Sequence, residues 1–292
     1  MPRIARRPTH AGSWYDDDAI LLSQKITDWM EAATAEPGVH ARAIIGPHAG
    51  HSYCGRVMAY AYKQIDPSKV SRIFLLGPSH HVHTRKCLLS TATIYSTPLG
   101  DVHIDSDTVA ELRASGEFGD MELAVDEAEH SLELHVPFIA HHMGQRPYKL
   151  VPIMVGALRP ESEAHYGRLL SPYLEDPGNL FVFSSDFCHW GSRFGYTFFD
   201  NSHKTIHQCI KWLDRQGMDM IEKGDPAAFT DYLRQYGNTI CGRHPIGVCL
   251  NMLQHGRVPH TIKFTQYDQS SRCLRPQDSS VSYASAVITA GQ

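Results

Sequence analysis

The chain has 292 residues, 42% hydrophobic and 20% charged, with a net charge of −4. That length buries a large core without disulfide or metal staples, and the slightly acidic balance excludes a groove driven by phosphate neutralisation, so no nucleic-acid partner is expected. No apolar run approaches the ~18 residues of a membrane helix, so no membrane insertion is expected.

The first fifteen residues lack the apolar stretch of a secretory signal. They carry the one basic cluster, Arg3, Arg6 and Arg7, which reads as a solvated tail or a contact to the body of the protein. Asp16–Asp18 offers a helix cap before a face of Leu22, Ile26, Trp29 and Met30. Residues 41–45 read as a short buried strand, followed by a helix from about Gly55 to Ile65 and a second buried strand at 72–76. Residues 101–105 read as an edge strand leading into a helix that reaches about Ser115. A helical pattern runs through 131–143. Residues 149–155 form a third apolar strand, in which Pro152 is awkward for a central position. A helix over 160–174 leads to a fourth strand at 179–184. Helices at about 201–215, 225–236 and 244–254 precede closing strands at 261–267 and 280–288.

Short apolar runs alternating with helices predict an α/β fold: a central, mainly parallel or mixed sheet flanked by helices. With no repeat, linker or low-complexity stretch, residues 1–292 read as one domain. The seven cysteines are odd in number and irregularly spaced, with no C-x-x-C. That suits free thiols in a reducing compartment, hence a soluble cytoplasmic protein with passive nuclear entry left open.

Nineteen histidines are spread along the chain. Three buried strands end in similar punctuation. His48 follows the Gly-Pro break of IIGPHAG, His80 and His81 follow that of LLGPSHH, and FVFSSDFCHW places Asp186 and His189 after the fourth strand. Proline fixes φ and ends a strand, and Gly46 and Gly77 are expected to let the backbone turn sharply. Because α/β sheets bind ligands beyond the carboxyl ends of their strands, these distant residues are expected to converge.

Cys241, in NTICGRHPIGV, precedes a helix beginning near Arg243. A helix N-terminus with Arg243 or His244 nearby would lower its thiol pKa; a small packing cysteine is the alternative. The segment 128–138 places Glu129, His130, Glu133 and His135 inside a helical pattern. These residues serve either as support for a ligand imidazole or as a solvated helix face. There is no G-x-G-x-x-G, Walker loop, G-x-S-x-G or H-E-x-x-H, so nucleotide-driven and serine-hydrolase chemistry have no support.

Eight blocks, HAGSWY (10–15), PHAGHSYCG (47–55), GPSHHV (77–82), EHSLELHVPF (129–138), VPIMVGAL (151–158), SSDFCHWG (184–191), TICGRHPIGV (239–248) and QDSSVSYA (277–284), together resemble the Memo family, mediators of receptor-driven cell motility. The resemblance implies a fold like that of the class III extradiol dioxygenases, whose Fe(II) sits on two His and one carboxylate. It puts His48 and His80 in the histidine positions, Cys241 in place of the carboxylate, and His189 in the acid–base position with Asp186 orienting it. His81 and His130 are then expected around the ligands.

A thiolate is softer than a carboxylate. The expectation therefore shifts from ring cleavage toward a metal-dependent oxidoreductase or redox-metal protein holding Fe(II) or Cu, with Cu(I) well suited and Zn less so. Its implied roles lie in redox and metal homeostasis and in cytoskeletal and motility signalling. The resemblance also implies a second reading, a non-catalytic module in which Trp14, Tyr53, His48, His80, Asp186, His189 and Cys241 take a phosphotyrosine-containing receptor peptide. A zinc hydrolase is a third class, but no general-base Glu stands at a diagnostic spacing.

Overall fold

The computed structural model describes residues 3–36 and 38–291. The chain opens with β1 (Ala5–Arg6), then α1 (Ala19–Ala32), β2 (Ala41–Gly46), α2 (His51–Tyr62) and β3 (Arg72–Pro78). A run of short strands follows: β4 (Cys87–Ser90), β5 (Ile94–Thr97) and β6 (Gly100–His103), then α3 (Ser106–Ala114) and β7 (Gly119–Met121). Three short helices, α4 (Leu123–Ala128), α5 (His130–Glu133) and α6 (Val136–Met143), lead to β8 (Lys149–Val155), α7 (Pro160–Glu175), β9 (Asn179–Ser184) and the two-residue β10 (His189–Trp190). The last third contains α8 (Ile206–Glu222), α9 (Pro226–Tyr236), α10 (Arg243–His255), β11 (His260–Gln269) and β12 (Ser280–Ala290).

Nine strands form one mixed sheet in the order β10-β12-β2-β9-β3-β8-β4-β7, with β11 pairing β12. The centre is parallel: β2 beside β9, β9 beside β3, and β3 beside β8. β4 and the two late strands join antiparallel. The α/β class read from the strand–helix alternation is the fold observed. Ile44, Ile45, Phe74, Leu75, Val182 and Phe183 lie in one continuous core, all fully buried. Continuous apolar strands of this kind occur where helices cover both faces of a sheet. α7 and α10 pack on each other and reach β9 and β3, while α2 covers β12 and β2 with α1 outside it.

Local chemistry fixes several boundaries. Asp18 caps α1 by accepting the Leu21 N–H at 2.8 Å, and Leu22, Ile26 and Met30 turn inward as their spacing predicts. α2 begins earlier than the predicted Gly55, at His51. The single helix expected over 131–143 is two pieces broken at Leu134–His135. Pro137 lacks an N–H, and its ring would strike the carbonyl four residues back in a continued helix. α8 starts only at Ile206, because Asp200 folds the preceding residues into a turn by accepting the Ser202 N–H at 2.8 Å.

The strand expected at 101–105 covers Gly100–His103 and belongs to a separate three-stranded sheet, β1-β5-β6. β4, β5, β7 and the two-residue strands were not readable, because each is too short to show a period. Pro152 does sit in a central strand. The β4 ladder stops at Leu89 opposite Ile153, so the residue with no N–H lies just past it. Gly46 and Gly77 are strand residues without positive φ, contrary to the expected turns. They give room instead: a Cβ at Gly77 would lie 2.5 Å from Ser131 Oγ, and one at Gly46 3.0 Å from the His135 ring.

Candidate metal centre

The strand order places the site. β2, β9 and β3 are adjacent and parallel, so His48, Asp186 and His80 leave the same edge of the sheet from neighbouring strands. Cys241 enters from the turn before α10. One ligand atom each from His48, His80 and Cys241 lies within 4.8 Å of the other two. Cys241 Sγ is 3.1 Å from His48 Nε2, a gap that an ion bonding nitrogen at ~2.0 Å and sulfur at ~2.3 Å can span.

The outward nitrogen of each histidine can be assigned from its neighbours. Ser184 Oγ gives its only hydrogen to Ser131 O at 2.7 Å, so it accepts from His48 Nδ1 at 2.6 Å. Glu129 Oε1 accepts from His80 Nδ1 at 2.8 Å, while its other oxygen takes the His80 N–H at 2.7 Å. His189 Nδ1 faces two carbonyls, Phe187 O at 2.9 Å and Thr239 O at 3.1 Å. All three rings therefore carry Nδ1–H and turn the Nε2 lone pair outward, that of His48 toward Cys241 Sγ. Tying one imidazole nitrogen so that the other can ligate is how metal sites fix tautomer and ring angle.

Burial favours the neutral imidazole at His48 and His130. His48 is buried and its pKa falls well below the ordinary value, first by burial and then by the imidazoles of His80 and His130. Glu129 is fully buried, which raises its pKa, yet hydrogen bonds from His80 and Ser131 hold it down to about 2. It stays a carboxylate beside His80. His130 stacks on His80 with centroids 4.2 Å apart and carries Trp14 on its other side at 4.5 Å. Burial and then His80 bring His130 down to about 3. His81 is exposed and only approaches the His130 ring edge, at 6.2 Å. Of the residues expected around the ligands, His130 packs the site and Glu129 contributes the hydrogen bond.

Two expectations need correction. Cys241 is not a low-pKa thiol here: burial pushes it well up, and the nearby Asp186 carboxyl adds to this. The Arg243 side chain turns to His244, which is held by Glu163 at 2.7 Å, so neither side chain serves the sulfur. Nor does Asp186 orient His189 by a hydrogen bond; its carboxylate takes the His48 backbone N–H at 2.8 Å, and burial raises its pKa. His189 lies beside the trio and outside it. Trp14 and Tyr53, both exposed, line a cleft of about 450 Å³ next to the ligands.

Sequence reading missed the anchor of this assembly. Arg6 is buried to 1% exposure, bonded to Asp126 at 2.9 Å, Glu133 at 2.6 Å and the carbonyls of Asp126 and Glu129. Glu133 also takes the backbone and ring of His10 and the Tyr15 hydroxyl. The N-terminal strap thereby fixes the segment carrying Glu129 and lays Trp14 over His130. Arg3 and Arg7, in contrast, pair at the surface with Asp101 and Glu127. No local pattern distinguishes Arg6 from them.

Fold and site together define an α/β protein with a His–His–Cys group able to hold one metal ion beyond its parallel strands. Residues 6–287 match the family model described as Memo-like protein. The chain is 50% identical over 290 residues to Protein MEMO1 of Xenopus laevis, spanning 98% of this chain and 97% of that one. It is 48% identical to Protein MEMO1 of Homo sapiens, spanning 98% of each. It belongs to the Memo family. The crystal structure of uncharacterized protein JW3007 from Escherichia coli K12 shares the fold, with a TM-score of 0.50 at 14% identity over 83% of this chain and 98% of that one. Among the described residues, no helix is long and apolar enough to cross a membrane.

Proposed function

We propose that this Memo-family protein binds one iron or copper ion through His48 Nε2, His80 Nε2 and Cys241 Sγ, and acts in metal and redox homeostasis and in cytoskeletal and motility signalling. The observation that carries the reading is the ligand geometry: three donors within 4.8 Å, with both imidazoles already tied at Nδ1. Three protein donors leave positions open, and the soft thiolate favours Cu(I) or thiolate-ligated iron over a hard carboxylate-type site.

A bound ion of this kind would supply one-electron redox chemistry. The surrounding residues do the rest. Glu129 and Ser184 hold the ligating rings, and Asp186 fixes the backbone of His48. His189, with its Nε2 lone pair free, can take a proton from a ligand at the open side. Ligation requires Cys241 to lose its proton, so binding releases protons and strengthens as pH rises.

The test is metal content after anaerobic loading with Fe(II) or Cu(I) and desalting, comparing wild type with His48→Ala and Cys241→Ser. Wild type should retain close to one equivalent, with a thiolate charge-transfer band that Cys241→Ser removes. Equal retention in all three proteins would overturn the assignment.

A further inference from the structure

α8 carries a buried carboxyl group that the metal reading leaves unused. Asp214 has no solvent exposure and, among the described residues, pairs with no cation. Its neighbours all donate to it. Oδ1 accepts the Cys188 backbone N–H at 3.2 Å and the Asn238 side-chain amide at 3.0 Å, and Oδ2 accepts the Tyr267 hydroxyl at 2.8 Å. Burial raises its pKa, and these hydrogen bonds oppose the rise. An acid buried without a counter-charge is costly, and an apolar side chain would fill the same space without that penalty. What an apolar side chain cannot do is hold donors from two separate segments on one oxygen.

Both donors stand next to residues of the metal centre. Cys188 precedes His189, and Asn238 opens the run that ends at Cys241. The two segments are already stitched one residue further on. Thr239 Oγ1 accepts the His189 N–H at 2.7 Å and donates to His189 O at 3.0 Å, while Thr239 O faces His189 Nδ1 at 3.1 Å. Asn238 is 1% exposed, and its amide gives its second hydrogen to the Tyr232 hydroxyl at 2.8 Å. Its oxygen is buried with no partner, so the two N–H bonds alone fix its orientation.

We infer that Asp214 is a positioning residue: by joining Cys188 to Asn238 it sets where the His189 ring and the Cys241 sulfur stand relative to each other. The inference deepens the metal reading and rests on it for its functional consequence. The His189 ring shows the placement directly, because Nδ1 faces one carbonyl from each joined segment, Phe187 O and Thr239 O. Loosening the join frees the ring from its Nδ1–H tautomer and lets Cys241 drift from His48.

The test compares full-length wild type with Asp214→Asn, Asp214→Leu and Asn238→Ala. Asparagine keeps an oxygen for Cys188 and Asn238, and its amide can donate to the Tyr267 hydroxyl. Leucine fills the volume and accepts nothing. Asn238→Ala cuts the same join from the loop side and carries the test if Asp214→Leu does not fold. In metal-free protein, nitrogen–proton correlation spectra of the histidine rings, with the His189 signal identified by His189→Gln, should show Nδ1–H alone in wild type and Asp214→Asn. An added Nε2–H form should appear in Asp214→Leu and Asn238→Ala, while His142, whose Nε2 is tied to Ile65 O, stays the same in every protein. Cu(I) affinity by chelator competition should fall roughly tenfold in those two variants and stay within about twofold in Asp214→Asn. Should wild type retain no metal yet give this tautomer pattern, the metal reading fails and the placement by Asp214 stands. Folded Asp214→Leu and Asn238→Ala proteins with His189 still wholly Nδ1–H, or an Asp214→Asn protein as disturbed as Asp214→Leu, would overturn it.

Discussion

Cys241 Sγ and His48 Nε2 sit 3.1 Å apart although 193 residues separate them in the chain. The contact depends on close packing behind the sulfur. Gly242 donates its N–H to Ser185 Oγ at 3.0 Å, and a Cβ there would lie 2.3 Å from Ser185 Cβ and 2.5 Å from Ser184 O. The expected cost of Gly242→Ala is about 1–3 kcal/mol, as for overpacked sites. It should also push Cys241 away from His48. Denaturant midpoints and the Cu(I)–thiolate band would show both effects; an unchanged band would mean that the backbone absorbs the methyl group without moving the sulfur.

Ser184 links His48 to the 131 carbonyl, so Ser184→Ala leaves His48 Nδ1 and Ser131 O without their shared partner. A loss of about 1–3 kcal/mol in stability is expected. Metal affinity should fall by roughly 10–100-fold, as when such supporting partners are removed elsewhere. Chelator competition measures the second effect. Unaltered affinity would show that the ring angle is set by packing alone.

Arg6 neutralises two buried carboxylates, Asp126 and Glu133. Removing one partner of a buried ionic cluster costs about 3–5 kcal/mol, so Arg6→Met should unfold at markedly lower urea concentration. The companion Arg7→Met, whose arginine is exposed, should change little. Similar midpoints for the two variants would refute a structural role for the cage.

Acid should destabilise the fold early. Burial lowers His51 to about 4, and lowers His135 and His130 to about 3, against an ordinary 6.5. A group with a depressed pKa binds fewer protons folded than unfolded, so for a histidine stability falls as pH drops below 6.5 and continues to fall to the folded values. Glu129, held at about 2 against 4.5, adds a loss in the same direction below pH 4.5. By linkage, the three histidines together forfeit several kcal/mol, roughly 6, between about pH 7 and about pH 5. Urea midpoints at about pH 7 and about pH 5 would check this, with His51→Gln expected to flatten the difference; a midpoint independent of pH would contradict it.

Much of the architecture was legible because it is written locally. Apolar runs of strand length ending in Gly-Pro marked β2 and β3, and the Asp18 cap and 3.6-residue spacing marked α1. The same punctuation singled out His48, His80, Asp186 and His189. The break at Pro137 was legible in principle, since proline chemistry is local, yet the apolar period through 131–143 masked it. Short strands such as β4 and β7 had no pattern to read.

The sequence by itself determined that histidines stand at the carboxyl ends of buried strands. Only the tertiary structure decided that those strands are neighbours in the order β2-β9-β3, and that Cys241 arrives beside them. It also decided the ionic character of the site. A helix N-terminus and adjacent cations argued for an acidic thiol at Cys241, but burial and the nearby Asp186 reverse the sign. Three arginines in five residues looked alike, yet one is the buried anchor and two are surface pairs. The physical reason is common to both cases: hydrogen-bond direction and local polarity follow from residues distant in sequence, and desolvation depends on what the rest of the chain packs around a group.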